Sequence, residues 1–214
     1  METRIATPAD LPGVTATLAG AFAEDPLWTW AFPDAGKREA WWRFLLQSVL
    51  RYPCTWVAGD FEAVSVWIPP GGSELTDVDE ERVGPLLEEL LGPRAQPVLD
   101  LLDSFGEFHP KGVPHYYLSL LGTHPAHRGR GLGMGLLVEN LQAIDAEGMP
   151  AYLESSNPAN CPRYEEIGFE RIGSFSTPDG SHEVAMMWRA TSGTTPSTRS
   201  AKPRSRASSE SARP

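Results

Sequence analysis

The stretch THPAHRGRGLGMGLL, residues 123–137, sets glycines at 129, 131, 133 and 135 and arginines at 128 and 130 between one apolar run and another. Glycines that follow a buried strand and open a helix let backbone N–H groups close on an anion, and the helix dipole adds to the attraction. Phosphate or pyrophosphate is the natural guest of such a loop. Spacing narrows the device. A P-loop needs Gly-x-x-x-x-Gly-Lys-Ser/Thr, and no Lys-Ser/Thr pair follows here. The dinucleotide fingerprint Gly-x-Gly-x-x-Gly fails in both registers, because Met134 or Leu136 stands where its last glycine belongs. The pattern that survives is Arg-x-x-Gly-x-Gly, met by Arg128, Gly131 and Gly133.

Other residues could move protons or bind an organic cation. Glu154 lies in the strand-like AYLESS, and Glu24 and Asp25 precede Pro26 in an aromatic segment, DPLWTWAFPDAG. Trp28, Trp30, Phe32 and Tyr116 could line an apolar cleft with carboxylates at its edge, a setting that favours an amphipathic amine. Trp41 reads as core. His124 and His127 have ligand-like spacing but no clear third ligand, so no metal is assigned.

Hydrophobic periodicity gives the elements that must position these groups. Residues 2–6 read as a short strand, and Pro8 opens a helix whose Leu11, Val14, Leu18, Ala21 and Phe22 share one face until Asp25-Pro26. The aromatic segment reads as a loop, and a second helix runs from Lys37 to Arg51. CTWVAGDFEAVSVWIP reads as a hairpin turning tightly at Gly59-Asp60. The leucine-rich residues 78–105, interrupted by Pro85, Gly92-Pro93 and Pro97, predict two or three short helices. HYYLSLLGT reads as a strand buried on both faces, followed by the glycine loop, a helix ending at Gly148, the strand AYLESS, a short helix closed by Gly168, and two strands around Pro178-Asp179-Gly180. Helices between strands and hairpins at both ends imply a mixed α/β sheet covered by helices.

In that context the chain resembles the GNAT N-acetyltransferase superfamily. Arg128, Gly131 and Gly133 match its coenzyme A pyrophosphate signature, and Asn160, Tyr164, Gly168 and Phe169 match its Asn-x-x-x-Tyr-x-x-x-Gly-Phe segment. The likeness runs through most of residues 3–190 and is nearest to the branch that includes puromycin N-acetyltransferase. It implies a twisted, mostly antiparallel sheet with a V-shaped gap between two central parallel strands, and helices on both faces. It also implies acetyl transfer from acetyl-CoA to a primary amine of a small molecule, an antibiotic or aminonucleoside-like compound among the candidates. The cofactor would lie along Leu120, Leu121, Gly122 and Thr123. Its pyrophosphate would meet Arg128, Gly129, Arg130, Gly131, Leu132, Gly133 and Met134, and Asn160 would bind its pantetheine. Tyr164 matches the family's general acid. Glu154 ranks first as base, with Glu24 or Asp25 next; Asp25 stands where the branch carries a tyrosine before the proline. The competing readings are a catalytically weak acyl-CoA sensor and a protein or peptide N-acetyltransferase.

Charge and composition bound the partners. Of the net −10, residues 191–214 contribute +4, leaving −14 on the rest. So acidic a body does not suit nucleic acid, whose binding rests on neutralising phosphates. Two cysteines and no basic-then-apolar leader or long apolar run predict a soluble, cytoplasmic protein without a membrane partner, a monomer or homodimer. Residues 1–190 form one expected domain, and the Ser/Thr/Pro/Arg-rich remainder is expected to be disordered.

Overall fold

A computed structural model describes residues 2–191; the expected disorder from Thr191 onward therefore lies almost wholly outside the described residues. Seven strands form one sheet in the order β1-β2-β3-β4-β5-β7-β6, and every neighbouring pair is antiparallel except β4 with β5. The strands are β1 (Thr3–Ile5), β2 (Thr55–Ala58), β3 (Ala63–Ile68), β4 (Tyr116–Thr123), β5 (Ala151–Ser155), β6 (Glu170–Ser176) and β7 (Glu183–Arg189). One face carries α1 (Leu11–Ala21), α2 (Pro26–Ala31), α3 (Ala35–Val49), α4 (Asp77–Leu91) and α5 (Ala95–Phe108). The other carries α6 (Leu132–Ala146) and α7 (Cys161–Glu165). Among the described residues no helix is long and apolar enough to cross a membrane.

Three local expectations change. The aromatic segment is the short helix α2 instead of a loop, because Asp25 is extended and its carboxylate accepts the Trp28 N–H at 3.1 Å, with Pro26 at the first helical position. The β2–β3 connection is a four-residue loop, since the last pair is Ala58 with Ala63. Pro85 does not break α4: Pro85 and Glu81, whose carbonyl loses its helical donor, are both exposed, so water can satisfy the orphan group.

The site is set by two irregularities in the middle of the sheet. β4 and β5 pair only at Tyr116–Ala151, Tyr117–Tyr152 and Leu118–Leu153, and beyond these the strands part. Against β3, Val66 pairs with Leu120 but Trp67 pairs with Leu118, so Ser119 is an extra residue in β4, a β-bulge. The bulge changes the side-chain alternation. Tyr117 packs on the five-helix face and Leu118 on the α6 face, whereas Leu120, three residues after Tyr117, is back among the five-helix core. β4 is consequently half-buried at alternate residues, not buried on both faces.

Candidate active site

The gap between β4 and β5 leads toward the glycine loop. From Leu120 to Thr123, β4 pairs with β3 on one edge only, so the backbone edge toward β5 is open to an added extended segment. Gly131 caps α6 with φ 73°, a left-handed conformation that glycine adopts without strain, and Gly129 is similar at φ 78°. The first intrahelical bond at this end is from the Gly135 N–H to the Gly131 carbonyl at 2.8 Å, so the N–H groups of Leu132, Gly133 and Met134 have no partner in the preceding turn. Gly133 is buried, and a Cβ there would come within 2.7 Å of Thr123 Oγ1, so only glycine lets the helix start approach the end of β4 this closely. An extended arm ending in a pyrophosphate fits this geometry. The arginine side chains are committed elsewhere. Arg128 donates to the Gly20 and Ala21 carbonyls at the end of α1, at 3.2 and 3.0 Å, and Arg130 lies 2.8 Å from His127 Nδ1 and 3.5 Å from Glu62. The groups this turn leaves without a partner are therefore backbone N–H groups. His127 Nδ1 is also 3.1 Å from Glu62, and His124 accepts the Ala126 N–H, so both are turn residues.

Beside the parting strands, a cavity of about 990 Å³ opens on the five-helix face. Tyr117 and Ser119 of β4 and Tyr152 and Glu154 of β5 share that face, and the loop residues Glu74 and His109 close over them. The Glu154 side chain is 2% exposed; the Tyr117 and Tyr152 phenols face its carboxylate, no donor meets its oxygens in good hydrogen-bond geometry, and its nearest ionic neighbour is His109 Nδ1 at 3.8 Å. Glu74 accepts a hydrogen bond from the Ser119 hydroxyl at the bulge. Burial pushes the Glu74 carboxyl up to about 7, offset by the Ser119 bond and reinforced by the nearby Glu154. Burial and then the Glu154 charge raise the Tyr117 and Tyr152 phenols well above the ordinary value.

A raised carboxyl pKa means that the folded state holds the proton more tightly than the unfolded chain. Stability from this group is present at low pH and is lost as pH rises from about 4.5 toward 7 and above. Glu74→Gln is accordingly expected to stabilise the fold at pH 8 by on the order of 2 kcal/mol, raising the thermal midpoint, and to change it little at pH 4.5. Melts of both proteins at the two pH values check this.

The residues expected to form the site do not all meet in the cavity. Tyr164, Asn160, Glu154, Asp25, Trp28, Leu120 and Leu121 line it. Tyr164 is half-buried, with burial first and Cys161 second pushing it up to about 12; Asn160 stands at the start of α7 without making a capping bond. Asp25 is tied on both oxygens, one to the Trp28 N–H and the other to the Ser156 hydroxyl at 2.7 Å, and burial raises its carboxyl. Glu24 is outside, 3.6 Å from Arg128. Three acceptor-lining expectations are corrected. Phe32 is fully buried against Trp41 and Trp28. Trp30 donates its indole N–H to Asp179 at 2.8 Å, away from the cavity. Tyr116 lies on the α6 face, where its phenol donates to Glu147 at 2.9 Å, because strand alternation gives the cavity to Tyr117.

Glu74, His109, Tyr117 and Tyr152 were not marked by the sequence. The period-two rule could have placed Tyr152 beside Glu154. Glu74 and His109 sit in irregular segments with no periodicity to direct them.

Residues 98–169, from α5 to the end of the α7 turn, match the acetyltransferase (GNAT) family. An uncharacterized N-acetyltransferase of Schizosaccharomyces pombe is 25% identical over 178 residues, 75% of this chain and 70% of its own. A crystal structure from Corynebacterium glutamicum, described as histone acetyltransferase HPA2 and related acetyltransferase, superposes with a TM-score of 0.62 at 24% identity, covering 93% of this chain and 98% of that one. A mosquito arylalkylamine N-acetyltransferase-like protein superposes with a TM-score of 0.59 at 17% identity over 88% of this chain and 98% of its own. The splayed parallel pair, the bulge in β4 and the glycine loop all fall within residues 98–169, the segment that matches the acetyltransferase (GNAT) family.

Proposed function

We propose that the protein transfers the acetyl group of acetyl-CoA to the primary amine of a small, amphipathic molecule bound in the cavity. The observation that carries this reading is Glu154: a buried carboxylate with no fixed cation against it, faced by the Tyr117 and Tyr152 phenols and by His109, on the first β5 residue past the parallel pair. An amine arriving as an ammonium ion would meet it as counter-ion and then lose a proton to it. Trp28, Trp42 and Phe105 wall the same space and would take an apolar or aromatic body, aminonucleoside-like antibiotics included. The arylalkylamine substrate class in the mosquito protein's name is in keeping with such an acceptor.

Acetyl-CoA, when bound, supplies the activated acetyl thioester. Leu120 and Leu121 would hold its arm along the open edge of β4, and the backbone N–H groups of residues 131–134 its pyrophosphate. A backbone N–H at the bulged edge of β4 would hydrogen-bond the developing oxyanion. Tyr164, which lines the cavity together with Ser119, would hold the proton needed by the departing thiolate.

Free-thiol release from acetyl-CoA with 2-phenylethylamine, tryptamine, puromycin, kanamycin, spermidine and a lysine peptide tests the activity and its acceptor class. Release with the aromatic amines or puromycin supports the reading, and release only with the peptide replaces it with protein acetylation. Tyr164→Phe is expected to lower kcat by roughly 100-fold with acetyl-CoA affinity retained. Full turnover in that variant would remove Tyr164 from the chemistry.

A further inference from the structure

We infer that His109 carries the proton taken up by Glu154 out of the cavity, and that His115 fixes which nitrogen of His109 does so. The inference rests on the reading of Glu154 as the base. Nothing in the glycine motif or the family match marks either histidine for this task.

The hydrogen-bond chain assigns the tautomers. His115 Nδ1 is 2.7 Å from the Val113 carbonyl, an acceptor only, so this nitrogen carries a hydrogen. His115 is buried, and burial lowers its pKa, which keeps the ring neutral and leaves Nε2 as a lone pair. His109 Nε2 lies 3.1 Å from that lone pair and must supply the hydrogen between them. The remaining nitrogen of His109, Nδ1, is thereby left as the lone pair, and it is 3.8 Å from Glu154 Oε1.

The groups around His109 favour a proton arriving there. Glu154 faces it from β5, and the rings of Tyr117 and Tyr152 stand nearly perpendicular to it with centroids at 5.0 Å. Glu74 is close enough for a charge on His109 to act on it. The fifth neighbour is the neutral His115. Carboxylates, phenols and a neutral ring thus surround a developing imidazolium, with no fixed cation among these neighbours.

Exposure gives the direction of transfer. The Glu154 side chain is 2% exposed and that of His109 is 32% exposed, so one ring faces both the buried carboxylate and water. An N–H bond of the ammonium breaks as an O–H bond forms on Glu154. That O–H bond then breaks as Nδ1–H forms on His109, and the imidazolium releases the proton to bulk water. At 3.8 Å the second transfer runs through one water or after the two side chains close up. Glu154 is then again a carboxylate, ready for the next ammonium.

Histidine side-chain ¹⁵N NMR of the full-length protein, without acceptor, tests the arrangement. His115 should appear as the Nδ1–H tautomer, and neutral His109 as the Nε2–H tautomer with its Nδ1 lone pair left for Glu154. The opposite tautomer at either ring overturns the inference. In turnover with acetyl-CoA and 2-phenylethylamine at low buffer, His109→Gln should lower kcat roughly tenfold, leave the amine KM unchanged, and recover with added imidazole. A loss that imidazole does not restore indicates packing and overturns the relay. Two outcomes separate this inference from the function beneath it: wild-type activity in Glu154→Gln removes base and relay together, whereas an inactive Glu154→Gln beside a wild-type-like His109→Gln removes the relay alone. Where 2-phenylethylamine is not turned over, the NMR result decides.

Discussion

Glu154→Gln is expected to lower kcat for acetyl transfer by roughly 10²- to 10⁴-fold while the protein stays folded, because a positioned general base contributes about that much and an amide of the same shape cannot accept the proton. The direction of the stability change makes the test clean. The Glu154 side chain is 2% exposed, no donor meets its oxygens in good hydrogen-bond geometry, and a second carboxyl, Glu74, is close by. Replacing a buried, incompletely compensated charge by a neutral group removes a desolvation cost, so the thermal midpoint should hold or rise. Thiol-release kinetics together with a melt of the same preparation check both halves. Full turnover in Glu154→Gln would exclude Glu154 as the base and return the role to another group at the gap.

Trp42→Ala should destabilise the fold by roughly 3–5 kcal/mol, the usual result of truncating a fully buried aromatic residue. Trp42 is 0% exposed and joins α3 to the segment that carries Asp25, its ring 4.5 Å from that of Trp28 edge-on and 5.3 Å from that of Phe22. It also lines the cavity, so truncation would widen the acceptor space as well as loosen the core. For a domain of this size, the loss corresponds to a thermal midpoint lower by roughly 10 °C. Trp42→Phe offers the contrast. The indole Nε1 has no hydrogen-bond partner, so losing it forfeits no bond, and this variant should cost roughly half as much or less. Equal losses in the two variants would mean that the indole itself, not the buried area, holds α3 against α2.

How far the sequence could be read depended on whether a signal was local. The glycine loop was legible because its requirement is local: a left-handed residue at 131 and no side chain at 133 are properties of single positions. Strands and long helices were legible through their periods, and Asp34 and Thr76 cap α3 and α4 as short polar residues before helices should. The helix α2 was missed because six residues carry too little periodicity, although its Asp-Pro start was a capping signal. Tyr116 and Tyr117 are indistinguishable in the sequence as cavity residues, because neighbouring strand residues point to opposite faces and nothing local says which face holds the cavity.

By itself the sequence determined the anion-binding turn, the alternation of helices and strands, and the pairing of that turn with the segment from Asn160 to Phe169. Only the tertiary structure decided where the acid–base groups gather. Glu74, His109, Ser119, Tyr152 and Glu154 come from two connecting segments and two strands, and only Tyr152 and Glu154, two apart in β5, are related by spacing. They meet because β4 takes one extra residue at Ser119 and parts from β5 after Leu118, and those are pairing events between chain segments far apart in sequence.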